Sequence, residues 1–207
     1  MRNKKAKAFL PLNYTKCAVI VHGKSEKILC QYIKSQLHIK MEIISRGKGS
    51  SSIQINGLEA MLKKKPYASL RQFADEFTVE YDSAAKALLN FKLFIIMDTD
   101  DCTLKMKERY TSGELFSSSP LKDYIVPIYN IPNLENALAK AGILARKISS
   151  SEKSEVYSKI FPINEGPLTE DVIQEVRLFS EKVSGHRETN MDVFVDYCLG
   201  IISQVTP

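Results

Sequence analysis

The chain has 207 residues, 44% of them hydrophobic, which is enough for one cored domain, alone or with an appendage. It shows no apolar run of membrane-spanning length and no signal-peptide pattern. Its four cysteines (Cys17, Cys30, Cys102, Cys198) include no Cys-x-x-Cys pair, which excludes a disulfide scaffold or structural zinc site and leaves a cytoplasmic chain as the expectation. The net charge of +5 sits at one end: Arg2, Lys4, Lys5, Lys7 and Lys16 have no acid among them, and the other 24 basic residues match the 24 acidic ones. A basic N-terminal arm (residues 1–15) on a neutral body can touch phosphate, or serve as a solvated tail that aids solubility.

Cys17-Ala18-Val19-Ile20-Val21 reads as a short buried strand. It runs into His22-Gly23-Lys24-Ser25-Glu26, where Gly23 allows a tight strand-to-helix turn and Ser25 offers a helix cap. Ile28, Leu29, Tyr32, Ile33 and Leu37 then recur at helical spacing. Gly23-Lys24-Ser25 is not a nucleotide P-loop, because the first glycine of that pattern would fall on Ala18, inside the strand. Met41–Ser45 predicts a second strand. Arg46-Gly47-Lys48-Gly49-Ser50-Ser51-Ser52 reads either as a flexible linker or as a loop that approaches phosphate through backbone N–H groups, Arg46 and Lys48. Ile53, Leu58, Met61 and Leu62 predict a helix, and Leu70, Phe73, Ala74 and Phe77 form one face of another. The spacing of Ala84, Ala85, Leu88 and Leu89 predicts a further helix over 82–90.

Five of the six residues from Leu93 to Asp98 are apolar, which predicts a strand buried on both faces, as in a parallel sheet. Ligands of such sheets bind beyond the carboxyl ends of the strands. This strand ends in Asp98-Thr99-Asp100-Asp101. If strand geometry persists, Asp98 and Asp100 leave on the same side, and carboxylates so placed suit a hard cation such as Mg²⁺. A helix N-cap needs one such Asp rather than three. Residues 102–110 read as a short helix. Tyr124–Tyr129 reads as a strand at a sheet edge, because Pro127 has no N–H to donate. Asn130-Ile131-Pro132-Asn133-Leu134-Glu135 turns into a helix that Gly142 ends, and segments 152–161, 169–183 and 189–204 read as helices. His38 and His186 have no partner at ligand spacing. The expected organisation is an α/β core over 16–147, with a mainly parallel sheet of about four strands flanked by helices, and a helical C-terminal extension over 148–207.

Two motifs carry a resemblance. Val21-His22-Gly23-Lys24-Ser25-Glu26-Lys27 resembles the Val-Glu-Gly-x-Ser-Glu turn, and Phe94-Ile95-Ile96-Met97-Asp98-Thr99-Asp100 the Asp-x-Asp strand, of the Toprim fold in its nuclease branch. That fold is shared by topoisomerases, bacterial primases and nucleases of the overcoming-lysogenization-defect type. The loop at 47–52 and Pro132-Asn133-Leu134-Glu135 sit where that branch has functional segments. The resemblance covers the α/β core and not the C-terminal helices. It implies a Rossmann-like Toprim domain that cleaves nucleic-acid phosphodiester bonds with Mg²⁺ or Mn²⁺, in defence or repair. Glu26, Asp98 and Asp100 would hold the cation, with Glu135 as a further ligand. Lys24, Arg46 and Lys48 would contact the nucleic-acid backbone, DNA ahead of RNA. The chain departs from the family at His22, where the pattern has glutamate. Imidazole is a ligand better suited to Mn, Zn or Fe than to Mg, or a proton shuttle near neutral pH, but it brings no negative charge. The alternative reading is therefore a catalytically degenerate Toprim domain that binds nucleic acid or protein without cutting. A homodimer or another protein partner is expected through the C-terminal helices. A receiver-like domain would need a Lys ending a later strand, which Tyr129-Asn130 does not offer.

Overall fold

The computed structural model describes residues 13–145, 148 and 152–203. Apart from Asn13, Tyr14 and Thr15, the basic arm lies outside them. The chain runs β1 (Cys17–Val21), α1 (Lys24–Gln36), β2 (Met41–Ile44), a tight turn over Arg46–Gly49, α2 (Ile55–Leu62), α3 (Leu70–Phe77), β3 (Tyr81–Asp82), β4 (Ala87–Leu88) and β5 (Lys92–Asp98). Then come α4 (Leu104–Thr111), β6 (Ile125–Asn130), α5 (Leu134–Lys140), α6 (Lys153–Ile160), α7 (Glu170–Val183) and α8 (Met191–Ser203).

Four strands form one parallel sheet in the order β2-β1-β5-β6. The apolar runs of β1 and β5 occupy its centre because each is apolar on both faces. Cys17, Val19 and Val21 join one core with Phe94, Ile96 and Ile128. Ala18 and Ile20 join the other with Leu93, Ile95 and Phe73. This alternation follows from the two-residue period of a strand. Helices α1, α5, α6, α7 and α8 cover the first face; α2, α3, α4 and the β3–β4 hairpin cover the second. From β1 the chain steps outward to β2, then returns to lay β5 on the other side of β1. The strand order therefore reverses between β1 and β5, the place where open α/β sheets leave a crevice for a ligand.

β6 is an edge strand, as Pro127 requires. Its outer side is covered: the Asn190 side chain accepts from Tyr129 N–H (2.9 Å) and donates to Pro127 C=O (3.0 Å), and Ile131 N–H donates to Glu188 C=O (2.7 Å). Such cover removes a free row of donors and acceptors.

The helix expected over 82–90 is not formed. Residues 81–88 make an antiparallel hairpin instead. The Asp82 carboxylate accepts from Ala84 N–H (2.8 Å) and Ala85 N–H (3.0 Å), an Asx turn that diverts the N–H groups a helix would use. Lys86 (φ 51°) and Asn90 (φ 50°) lie in the left-handed region, which also stops a helix.

The C-terminal helices share the core of the sheet. Phe194 of α8 is fully buried and meets Phe94 of β5 edge-on, with ring centroids 5.1 Å apart. Phe194→Ala is therefore expected to cost about 3–5 kcal/mol, the range for emptying an aromatic core site, as a lower urea midpoint with an unchanged slope. No helix among the described residues is long and apolar enough to cross a membrane.

Candidate functional site

The carboxyl ends of β1 and β5 meet at the switch point, and the chain places its buried acids there. His22 is the first residue past β1. Its N–H continues the ladder to Ile96 C=O (2.9 Å), and its own C=O accepts from Ile53 N–H (2.8 Å). The imidazole is half-buried, and its Nδ1 is shielded from solvent without a hydrogen-bond partner.

Gly23 caps α1. It is extended (φ −154°, ψ −154°), not the left-handed glycine a tight turn would demand. Its N–H donates to Glu26 Oε2 (2.9 Å), so the first-turn carboxylate reaches back over the helix end. Ser25 therefore lies inside the first turn and is not the cap. Its hydroxyl donates to Glu135 Oε1 (3.0 Å), 110 residues away.

Glu26 is only 2% exposed and Asp98 only 7%. Asp98 Oδ1 accepts from Leu134 N–H (3.0 Å) and from Asn130 Nδ2 (3.3 Å). Asn130 is fully buried; its Oδ1 accepts from the Thr189 hydroxyl (3.0 Å), which fixes the amide's orientation. Burial, then the nearby Glu26 and Glu135 carboxylates, push Asp98 up to about 9 against the Asn130 hydrogen bond. Burial likewise raises Glu26; hydrogen bonds from N–H groups and the neighbouring His22 oppose that, while Glu135 adds to it. Two acids buried side by side in a dry site, one of them pushed up by the other's charge, resist ionising together.

β5 ends at Asp98, so the chain does not keep strand geometry through Asp100. Asp100 is exposed, and its Oδ2 accepts weakly from Asn133 Nδ2 (3.4 Å). Asp101 is the residue that sequence reasoning left out of the site. Both its carboxylate oxygens are shielded from solvent and make no well-formed hydrogen bond, although the Gln54 amide lies near. Burial raises Asp101; His22 opposes the rise and Asp100 adds to it. His22 thus stands between Glu26 and Asp101 electrostatically.

Glu135, in the first turn of α5, belongs to a polar network with α6. Its Oε1 takes the Lys153 ammonium at 2.8 Å, the Ser25 hydroxyl and the Tyr157 hydroxyl (3.3 Å). Burial raises Glu135, but the Lys153 hydrogen bond and charge, with the Ser25 bond, outweigh it and hold the carboxyl below its ordinary value. Nothing in the sequence signalled Lys153 or Tyr157, which come from the segment read as a separate extension. Lys153→Met removes the ammonium from a partly buried carboxylate and should cost about 1–2 kcal/mol at pH 7, between exposed and buried pairs. A group lowered in the folded state stabilises above its unfolded pKa, so the deficit should shrink as pH falls below 5. Urea melts of both proteins between pH 4 and 7 would show whether it does.

Arg46–Gly49 forms a defined turn. Gly47 (φ 54°), Lys48 (φ 58°) and Gly49 (φ 96°) are all left-handed. Ser50 donates to Gly47 C=O (2.7 Å), and the Lys27 ammonium donates to Lys48 C=O (2.8 Å). A Cβ on Gly49 would stand 3.3 Å from Lys27 Cδ and 3.6 Å from Lys24 Cα, so the turn packs directly on the first turn of α1. Lys24, Arg46 and Lys48 are exposed around this contact.

Among the described residues, no three His, Cys, Asp or Glu side chains stand close enough together to hold a metal ion. The chemistry of the donors nonetheless suits a hard cation: carboxylates raised by burial and by neighbouring carboxylates, and shielded oxygens and a ring nitrogen without partners. Compared with known proteins, the chain matches no family model, no curated protein and no solved structure.

Proposed function

We propose that this protein is a Toprim-like phosphodiesterase that cleaves nucleic acid with a divalent cation, DNA being the first substrate to test. One observation carries the reading: Glu26 and Asp98, both almost fully buried, crowd one another at the switch point of a parallel sheet. Burying unused carboxylates together is costly, and a cation is what would relieve it. Glu26 and Asp98 would supply its first carboxylates; because no three such side chains converge among the described residues, His22, Asp100 and Asp101 would have to move inward to complete the shell. When bound, such a cation supplies a Lewis acid for the phosphate and lowers the pKa of a bound water.

The chain's own groups define the rest. Asn130 and Leu134 N–H orient Asp98, and Gly23 N–H orients Glu26. Glu135 is neutralised by Lys153, which makes it a support for Ser25 at the rim more readily than a ligand. Lys24, Arg46 and Lys48 bring positive charge to the same end of α1, where a substrate phosphate would approach.

A second reading has its own support. His22 stands where the resemblance calls for glutamate, and the described acids are not drawn into a metal-binding group. On that reading the domain binds nucleic acid or protein without cutting. Cleavage of bis(p-nitrophenyl) phosphate and of a labelled oligonucleotide, each with Mg²⁺, Mn²⁺ or EDTA, separates the two. Metal-dependent cleavage that Asp98→Ala abolishes supports the enzyme; no cleavage with either ion supports the binding module.

A further inference from the structure

The outer face of α1 and the open edge of the sheet enclose a cleft of about 680 Å³ between α1, β2 and the stretch before α7. Its wall is one helical stripe. Lys24, Lys27, Gln31 and Lys34 follow at steps of three and four, which places them on the same side of α1. Lys27, Gln31 and Lys34 line the cleft, and Lys24 continues the stripe to the acid site. The stripe spans about 15 Å at about 1.5 Å per residue, the length of roughly four stacked nucleotides at about 3.4 Å each. The floor is apolar: Ile39 and Ile43 beside the unpaired edge of β2, and Ile163, which is 55% exposed. Glu42 is the one acid among the lining residues.

The geometry points to this cleft as a track for single-stranded nucleic acid leading to the acid site. Charge complementarity decides the class of occupant. Lysines along one wall match successive phosphates, and an apolar floor matches exposed base faces, which a duplex keeps stacked inside. The cleft joins the proposed phosphate-contacting turn directly, since the Lys27 ammonium is bonded to Lys48 C=O. The proposal rests on the nucleic-acid reading for its ligand class, but not on catalysis.

The test is fluorescence anisotropy of a labelled twelve-nucleotide oligothymidylate in EDTA, on the full chain, across a salt series. The variant is Gln31→Glu with Lys34→Glu; both residues are exposed and neither belongs to the site, so folding is expected to survive. A matched control, Lys63→Glu with Gln72→Glu, makes the same charge change at exposed positions outside the cleft. The groove variant should bind at least about ten-fold more weakly, and its slope of log K against log salt should fall by about 0.7 for each phosphate it no longer neutralises. Ile163→Ser should weaken the single strand and leave a duplex of the same length unaffected. Equal losses in groove variant and control would show that only net charge is sensed and would overturn the track. Equal binding of single strand, duplex and a poly-glutamate peptide would overturn it too, in favour of a general surface for acidic partners. Cleavage of bis(p-nitrophenyl) phosphate, too small to reach the cleft, should be the same in wild type and groove variant. A wild type that binds the oligonucleotide in the cleft but cleaves nothing would remove the catalytic reading and leave the track standing.

Discussion

Asp98→Asn should make the metal-free protein more stable at pH 8 while removing its cleavage activity. The amide keeps the oxygen that accepts from Leu134 N–H and Asn130 Nδ2, and it needs none of the proton uptake that burial and Glu26 impose on the carboxylate when the chain folds. The sign follows from linkage. Asp98 is pushed up to about 9 in the fold against about 3.9 in the unfolded chain, so its contribution is fully present below about pH 4 and is lost as pH rises toward 9. Glu26 is raised as well and acts in the same direction. Glu135 is lowered and acts oppositely, but only near and below pH 4.5, outside a comparison run from pH 5 to 8.5. A tenfold change in an acid's ionisation constant is worth about 1.4 kcal/mol, and a chain of this size gains about 2–4 °C per kcal/mol. A melting temperature higher by roughly 5 °C or more at pH 8, shrinking toward pH 5, is the expected result. Mn²⁺ should raise the melting temperature of the wild type, and not of Asp98→Asn, by mass action. Titration in buffers of different ionisation enthalpy should show proton release as Mn²⁺ binds the wild type, because Asp98 carries a proton at neutral pH. Cleavage by the variant should drop by roughly 10³-fold or more, the scale of several kcal/mol of lost charge stabilisation. A variant less stable than wild type at pH 8 would mean that Asp98 is not under the electrostatic pressure assigned to it.

The sheet was legible in the sequence because its central strands are apolar on both faces. Cys17–Val21 and Leu93–Met97 are continuous apolar runs too short for a buried helix, and Pro127 marked β6 as an edge. The hairpin at 81–88 was not legible. Ala84, Ala85, Leu88 and Leu89 have helical spacing, and only the capture of two N–H groups by Asp82 decides against it. At the candidate site, the ends of β1 and β5 bring Glu26 and Asp98 together because adjacent parallel strands finish side by side. The strand ends two residues short of Asp100, so two-residue alternation does not reach it, and Asp100 is exposed while the Asp101 carboxylate is shielded. The Asn130–Thr189 and Glu135–Lys153 contacts join segments that one sequence, read locally, treats as separate. They exist because the C-terminal helices share a core with the sheet and do not hang from it.

His22→Glu should exchange one metal preference for another, and its cost should run opposite to that of Asp98→Asn. An imidazole must be neutral to ligate a cation and then adds no charge, so the wild type should hold Mg²⁺ weakly and cleave best with Mn²⁺, which accepts a nitrogen ligand readily. The Nδ1 that lacks a protein partner is the atom free to serve. A glutamate there would add a carboxylate beside Glu26 and Asp101, both already raised by burial, and would remove the imidazole that opposes those rises. Without metal, His22→Glu should therefore be less stable than wild type at pH 8, with the deficit narrowing toward pH 5 as the acids take up protons. With Mg²⁺ the added charge is compensated, so stability should recover and cleavage should move from Mn²⁺ toward Mg²⁺. The two readouts are independent: melting curves report the crowding of charge, and rates with each ion report the ligand. Wild-type cleavage that prefers Mg²⁺ and ignores His22→Ala would show that His22 is no ligand. A destabilised His22→Glu that Mg²⁺ rescues but that never cleaves would separate a cation site from a catalytic one and favour the binding module, because charge compensation alone would then account for the buried acids.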